Sequence, residues 1–124
     1  MSSISKSLSL RVPANVIYRA LKDTRLEQIF PEFFVGITRS LTTKKVNNEL
    51  EYTTKTYDSQ IQIKEIFKLK ILEKNTTVIT YTSQTNVEND PVVGSIVQTH
   101  IANVLYALLM LETGYVNGLM ERQR

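Results

Sequence analysis

Two charged residues interrupt apolar alternation in this 124-residue sequence, and they are its strongest candidates for chemistry. Arg39 and Glu65 each occupy a position whose neighbours two residues away, on both sides, are apolar. Because alternation with a period of two is typical of half-buried strands, both charges are predicted to face the core. An ion buried without a partner costs several kcal/mol, so each of these side chains needs one.

The sequence leaves two kinds of partner open for Arg39. A guanidinium can meet a carboxylate with two hydrogen bonds, so Arg39, together with Tyr52, could anchor a ligand carboxylate in an internal pocket. Alternatively, Arg39 could pair with Glu65, or strand bulges could turn both charges to solvent. The candidate ligand-binding residues are those expected to face this pocket: Arg39, Tyr52, Glu65, Phe67, Leu69, Tyr81, Val97, Ile101, Val104 and Leu108.

Catalytic and metal chemistry have weaker support. Glu65 in apolar surroundings would have the raised pKa that suits an acid or base, but no second catalytic group stands at a defined spacing from it. His100 has no second histidine or carboxylate three or four residues further on, so we predict a partly exposed structural histidine and no metal site. Glu112 is expected to be solvated. No cofactor is predicted, and the absence of cysteine excludes disulfides and thiolate ligands.

Composition and charge indicate a single soluble domain spanning residues 1–124. The net charge of +3 is mild, and no aromatic residues interleave with Lys64, Lys68 and Lys70, so no nucleic-acid partner is predicted. We expect these lysines to keep an outer sheet face soluble. Since the sequence has no apolar leader and no run of 18 apolar residues, we expect a cytoplasmic protein without stable membrane insertion.

The elements that must position these residues follow from periodicity. Alternation predicts strands at 4–12, 35–42, 49–57, 60–73 and 76–87, with a polar turn at 44–48. In the last strand we favour Ile79, Tyr81 and Ser83 as the inward phase. Two short helices are predicted after the first strand, one at 16–22 capped by Asn15 and one at 25–30.

A long C-terminal helix is predicted from residue 91 onward. Its apolar residues recur every three or four positions, which commits one face to a core: Val97, Ile101, Val104, Leu108, Leu111, Tyr115 and Leu119. The opposite side is also apolar, through Tyr106, Leu109, Met110, Val116 and Met120. Because an apolar helix face is normally covered, we expect a homodimer through this outer face.

This order of elements resembles the helix-grip fold of the birch-pollen-allergen and START-type lipid-transfer superfamily. The similarity is clearest at residues 12–23 and 26–31, where a strand ends in Pro13 and two short helices lead to Pro31. The resemblance implies an α+β fold. A curved antiparallel sheet of about five or six strands would wrap around the C-terminal helix, with the two short helices after the first strand.

A short, lysine-rich and cysteine-free version of this fold resembles a small family restricted to thermoacidophilic archaea. Members of that family are thought to act as fatty-acid carriers, so the resemblance implies non-enzymatic carriage of a fatty acid or similar apolar ligand between sheet and helix. The segment 33–36 is a candidate gate for ligand release. Two alternatives stay open: a cyclase, aromatase or hydrolase of the same superfamily, and a protein-interaction module that uses the exposed helix face.

Overall fold

The computed structural model describes residues 2–23, 25–45, 49–56, 61–85 and 91–118. These residues form one five-stranded antiparallel sheet, in the order β1-β5-β4-β3-β2, and a long C-terminal helix, so the predicted α+β helix-grip architecture is confirmed. In chain order the elements are β1 (Ser2–Leu10), α1 (Ala14–Lys22), α2 (Arg25–Ile29), a 3-10 turn (Pro31–Phe33), β2 (Ile37–Lys45), β3 (Glu49–Thr56), β4 (Gln62–Glu73), β5 (Thr76–Thr85) and α3 (Pro91–Val116).

Burial alternates over residues 62–69 of β4 and along the whole of β5, which places one row of side chains in the core, whereas the last four residues of β4 are exposed. In β5 the buried residues are Thr77, Ile79, Tyr81, Ser83 and Thr85, which confirms the predicted inward phase. In the first half of β4 the core row contains Ile63, Glu65, Phe67 and Leu69. Register pairs Glu65 with Ser83 on one side and with Tyr52 of β3 on the other, so the buried carboxylate lies in the middle of the sheet.

The outer face of the sheet carries the lysines. Lys64, Lys68 and Lys70 are exposed. Two of them reach acidic residues across the β3–β4 pair, with Lys64 Nζ 3.6 Å from Glu51 Oε1 and Lys68 Nζ 3.9 Å from Glu49 Oε1. Alternating charges of this kind belong to a solvated sheet surface, as the sequence predicted.

Helix α3 supplies the other half of the core. The predicted stripe is confirmed from Val97 to Leu111, Tyr115 is half-buried, and Leu119 lies outside the described residues. Full burial of one such Val, Leu or Ile side chain is worth roughly 1.5–3 kcal/mol, so this stripe is the main attachment of the helix. The opposite side leaves Tyr106, Leu109 and Met110 exposed.

By length and composition α3 could also cross a membrane. Its most apolar 18-residue window has a mean hydropathy of 1.5, and 33% of that window is buried inside the protein. The core helix of a soluble protein meets the same criterion. Hydropathy alone therefore does not distinguish a membrane-spanning helix from a core helix. The buried face of α3 is accounted for by its place in the core cluster with residues of the sheet.

Local expectations at the element ends need correction. Asn15 does not cap α1, because the helix begins at Ala14, two residues before the predicted start. Pro13 is at the N-cap and makes no side-chain capping bond. The Pro13 carbonyl instead accepts hydrogen bonds from the backbone N–H groups of the first turn. The second helix ends at Ile29 rather than Phe30 and is followed by the 3-10 turn.

Two polar segments also differ from expectation. Residues 44 and 45 continue β2 and are not part of a turn, while 46–48 lie outside the described residues. Glu112 is not simply solvated, because its Oε2 accepts hydrogen bonds from the Arg11 backbone N (2.7 Å) and the Arg11 Nε (3.3 Å). This contact ties the end of β1 to α3.

Strand β1 lies at one edge of the sheet and pairs only with β5. Ile4, Lys6, Leu8 and Leu10 share its inward phase. Lys6 is nevertheless exposed, whereas Ile4 and Leu8 are half-buried and Leu10 is buried. The inward face of this edge strand therefore carries one solvated ammonium group.

Candidate functional site

Four side chains from four elements converge on the carboxylate of Glu65, which is 0% exposed. Its Oε2 accepts hydrogen bonds from Arg39 Nε of β2, at 3.2 Å, and from Thr54 Oγ1 of β3. Its Oε1 accepts one from Tyr81 OH of β5, at 2.6 Å, and lies 2.7 Å from His100 Nε2 of α3. An ionised carboxylate has about four lone-pair sites, so these partners fill its capacity.

Arg39 is also buried, with a side chain only 3% exposed, and it bonds two carboxylates. Besides Glu65, its Nη1 donates to Glu27 Oε1 of α2 at 2.7 Å. Its guanidinium carbon lies 5.2 Å from the ring centre of Phe34 and 4.3 Å from that of Tyr52, within the range of cation–π attraction. The Arg39–Glu65 ion pair, one of the two alternatives open from the sequence, is therefore present.

One nitrogen of Arg39 remains without a protein partner. Within the described part of the chain, no atom accepts a hydrogen bond from the buried Nη2. The anchoring of a ligand carboxylate by Arg39 and Tyr52 stays a prediction. The Tyr52 hydroxyl itself donates to the backbone carbonyl of Leu21, so it is already bonded within the protein.

The electrostatics of Glu65 differ from the sequence-based expectation. Burial alone would raise its pKa, but the charge of Arg39 and the hydrogen bonds from His100 and Thr54 together hold that pKa well below its usual range. The expected raised pKa is therefore wrong, because the donors that stabilise the ionised form come from distant parts of the chain. Burial raises the pKa of Tyr52 and of Tyr81, which keeps both phenols neutral.

The apolar candidates of the predicted pocket lie together in one closely packed core. The ring centre of Phe67 is 5.7 Å from that of Tyr52 and 4.9 Å from that of Tyr81. The structure places the remaining candidates in the same buried cluster: Leu69, Val97, Ile101, Val104 and Leu108. None of these residues lines the open cleft described next.

A cleft of about 210 Å³ lies between the segment 33–37 and the N-terminal half of α3. On one side it is lined by Phe33, Val35 and Ile37, and on the helix side by Ser95, Ile96, Thr99, His100 and Asn103. Its apolar lining includes unusually exposed side chains, since Val35 is 79% exposed and Ile96 40%. The cleft thus combines apolar walls with a few polar groups, which is the usual chemistry of a small-molecule site.

The predicted gate at 33–36 forms one wall of this cleft. Gly36 has φ 83°, a left-handed conformation that residues with a side chain adopt at a cost of roughly 1–2 kcal/mol. The ring of Phe33 stacks on that of Tyr106 with 6.3 Å between centres. This segment therefore connects the cleft to the exposed face of α3.

His100 lines the cleft and also bonds the buried Glu65, a role that was not predicted from the sequence. It was expected to be partly exposed and without a carboxylate, whereas its side chain is 6% exposed and bonds Glu65. Positions i+3 and i+4 from His100 lie on α3 itself, whereas the carboxylate that it bonds comes from β4. The one signal in the sequence that could have suggested the His100–Glu65 pair was the position of Glu65 on the inward-facing side of β4. Among the described residues, no group of three or more His, Asp or Glu side chains could hold a metal ion.

Comparison with known proteins supports the fold. No family model matches the sequence, and no curated protein matches it significantly. Similar solved structures include an HSP90 activator from Plasmodium falciparum, 12% identical with a TM-score of 0.67 over 90% of this chain and 96% of the other. The Aha1 dimer from Colwellia psychrerythraea is 17% identical, with a TM-score of 0.63 over 92% and 96%.

A START superfamily protein from Mycobacterium smegmatis is 12% identical, with a TM-score of 0.62 over 95% of this chain and 99% of the other. The chain therefore has a START-like helix-grip fold. At these identities the similarity concerns the fold alone, so the resemblance to an archaeal fatty-acid-carrier family remains a prediction.

Proposed function

We propose that this protein binds and carries a small, largely apolar molecule in the cleft between the segment 33–37 and α3, without transforming it. The observation that carries this proposal is the cleft itself, with exposed apolar walls formed by Val35 and Ile96 and a polar side that contains His100. A ligand seated there would cover apolar surface that now faces water. Each buried CH₂ group of such a ligand contributes about 0.8 kcal/mol before ordering costs.

The size of the cleft restricts the ligand. A volume of about 210 Å³ is below the roughly 300–1,000 Å³ of most small-molecule sites, so we expect a small ligand such as an acyl chain of medium length or a single aromatic ring. The ligand class we propose is a medium-chain fatty acid or an amphiphile of similar size. A long-chain fatty acid would leave part of its chain outside the cleft unless the 33–36 segment moved.

A blocking substitution tests the location. Ser95 and Gln98 are both exposed on α3, but only Ser95 lines the cleft. We expect Ser95→Phe to weaken octanoate binding at least about tenfold, because losing two buried CH₂ contacts costs about 1.6 kcal/mol. Gln98→Phe is the matched control and should leave the Kd unchanged in calorimetric or NMR titration. Equal weakening by both variants, or no octanoate binding to wild type, would refute the cleft as the site.

Acid–base catalysis is the second candidate function, and the His100–Glu65 pair beside the cleft favours it. A histidine oriented by a carboxylate is the usual arrangement of a general base. The two functions differ in the fate of the ligand. Mass spectrometry of the ligand extracted after prolonged incubation distinguishes them, since carriage returns it unchanged and catalysis returns a product.

The second partner we propose is another copy of this chain, bound through the outer face of α3. Tyr106, 59% exposed, together with Leu109, Met110 and Val116, forms the apolar patch in support, while Met120 lies outside the described residues. Glu112 is the one Asp, Glu, Lys or Arg in the sequence of α3. Among similar structures, the Colwellia psychrerythraea protein is described as a dimer.

A charge placed in this patch tests the dimer. We expect Met110→Lys to shift the protein to monomer in sedimentation at micromolar concentration, because the interface would have to bury an unpaired ammonium group. Asn75→Lys adds the same charge in the exposed turn between β4 and β5, away from α3, and should leave the dimer intact. A wild-type monomer would contradict the proposal. Binding of the monomer to lipid vesicles would assign the patch to a membrane surface instead.

A further inference from the structure

His100 is the only histidine of the chain, and it belongs to both the cleft and the buried charge cluster. The hydrogen bonds at Glu65 determine which of its nitrogens carries the proton. Arg39 and Thr54 donate to Oε2 and Tyr81 donates to Oε1, so the carboxylate is an acceptor throughout and has no proton of its own to give. His100 must therefore donate through Nε2–H to Oε1, 2.7 Å away. In the neutral ring the lone pair is consequently on Nδ1.

The charged groups linked to His100 are unequal in number. Among the described residues, the charged groups joined to His100 by successive ion pairs are Glu65 from β4, Arg39 from β2 and Glu27 from α2. Two carboxylates against one guanidinium leave a net charge of −1 when the imidazole is neutral. The phenols of Tyr52 and Tyr81 stay neutral, since burial raises the pKa of each. The one acidic residue of α3, Glu112, is bonded to Arg11 and does not belong to this cluster. A proton on Nδ1 would bring the cluster to neutrality.

This balance has a consequence for ligands entering the cleft. A free anion would approach a cluster whose net charge is negative, and a neutral alcohol would leave the imbalance in place. A weak acid brings both the proton and the anion, so the imidazolium in the bound state would lie between two carboxylates, that of Glu65 and that of the ligand, while the total charge stays at −1.

Resting on the cleft-binding function above, we propose that the cleft takes up a small carboxylic acid together with one proton, which comes to reside on Nδ1 of His100. From the neutral acid, the carboxyl O–H bond breaks and the Nδ1–H bond forms. From the ionised acid, the proton comes from water, and hydroxide is left to the buffer. In both cases the bound state is a carboxylate beside an imidazolium that still donates through Nε2 to Glu65.

The test uses octanoate and 1-octanol on the wild-type protein. The ring ¹⁵N resonances of the single histidine identify the charge state of His100 without assignment ambiguity, and the pH is set where they show a neutral ring without ligand. Octanoate is expected to move Nδ1 to its protonated shift. Calorimetry in two buffers of different ionisation enthalpy should show uptake of about one proton per octanoate. Octanol should bind without either change.

The pH dependence gives a second measurement. Octanoate affinity should fall about tenfold for each unit of pH above the point where the free ring is neutral, as linkage to one proton requires. Octanol affinity should stay constant over the same range. His100→Gln keeps a donor for Glu65 but cannot take the proton, so its octanoate affinity should become independent of pH.

The outcomes separate the two proposals. If neither probe binds, the cleft function itself is wrong. If both bind but Nδ1 stays unprotonated and no proton is taken up, the cleft function stands and the coupling to His100 is overturned. Proton uptake that persists in His100→Gln would also overturn it, because another group would then be the acceptor.

Discussion

Replacing Glu65 by glutamine is expected to lower the free energy of unfolding by about 3–5 kcal/mol, the usual cost of removing one partner from a buried ion pair. The reason is the convergence described above. Arg39 would keep only Glu27, and an amide NH₂ would face hydroxyl or ring donors that now meet a carboxylate oxygen. Urea unfolding followed by circular dichroism measures the loss. Equal stability of wild type and Glu65→Gln at neutral pH would contradict it.

A surface acid and the pH dependence provide controls for this substitution. Glu51→Gln removes the exposed pair with Lys64 and should cost at most about 1 kcal/mol. Because the folded-state pKa of Glu65 is lowered, its ionisation stabilises the fold above the unfolded pKa of about 4.3, and this contribution is lost as the pH falls through the folded value. The difference in the free energy of unfolding between wild type and Glu65→Gln should therefore become smaller below about pH 4.

Replacing Arg39 by methionine is expected to cost a similar amount, about 3–5 kcal/mol, because two carboxylates would lose their shared counter-charge. Of these two carboxylates, Glu65 would cost more to leave without its counter-charge than Glu27, because the Glu65 side chain is fully buried. Arg11→Met removes a 68% exposed arginine that is also paired, and it should cost no more than about 1 kcal/mol. Chemical denaturation of the two variants in parallel makes the comparison.

The double variant Arg39→Met/Glu65→Leu distinguishes an ion-pair effect from lost packing. Since both charges are absent, its loss in free energy of unfolding should be smaller than the sum of the losses of Arg39→Met and Glu65→Leu, each measured alone, by more than about 1 kcal/mol. Additive losses would show that the two residues do not act as a pair. Arg39→Met also tests the ligand-anchor prediction, which requires that any preference for octanoate over methyl octanoate be lost. If the preference is unchanged, Arg39 is not the anchor.

The fold could be predicted because its signals are local. Alternation over residues 60–73 and 76–87 and the three-four spacing of α3 each depend on neighbours within a few positions. The two residues that broke these patterns, Arg39 and Glu65, were identified for the same reason. Their pairing was left open, since β2 and β4 are not adjacent strands and their side chains meet across β3.

The rest of the site needed three-dimensional information. His100 was predicted to be a partly exposed structural histidine, because the carboxylate that it bonds lies 35 residues away in sequence on β4. The cleft was missed because its walls combine a short irregular segment with the polar flank of α3, and neither has a periodic signal. The apolar residues predicted as pocket walls lie in one core cluster, in which the rings of Phe67 and Tyr81 are 4.9 Å apart, and their role in ligand binding stays a prediction.

The exposed Lys6 on the inward phase of β1 affects how the sheet can grow. An open sheet leaves a row of unpaired backbone groups at each edge, and another strand could add there and start a fibrous aggregate. A strand added along β1 would extend the concave face over this lysine and remove its ammonium group from water, at a cost of several kcal/mol. The lysine therefore protects this edge against sheet extension, which leaves the apolar side of α3 as the more favourable surface for orderly pairing of two copies.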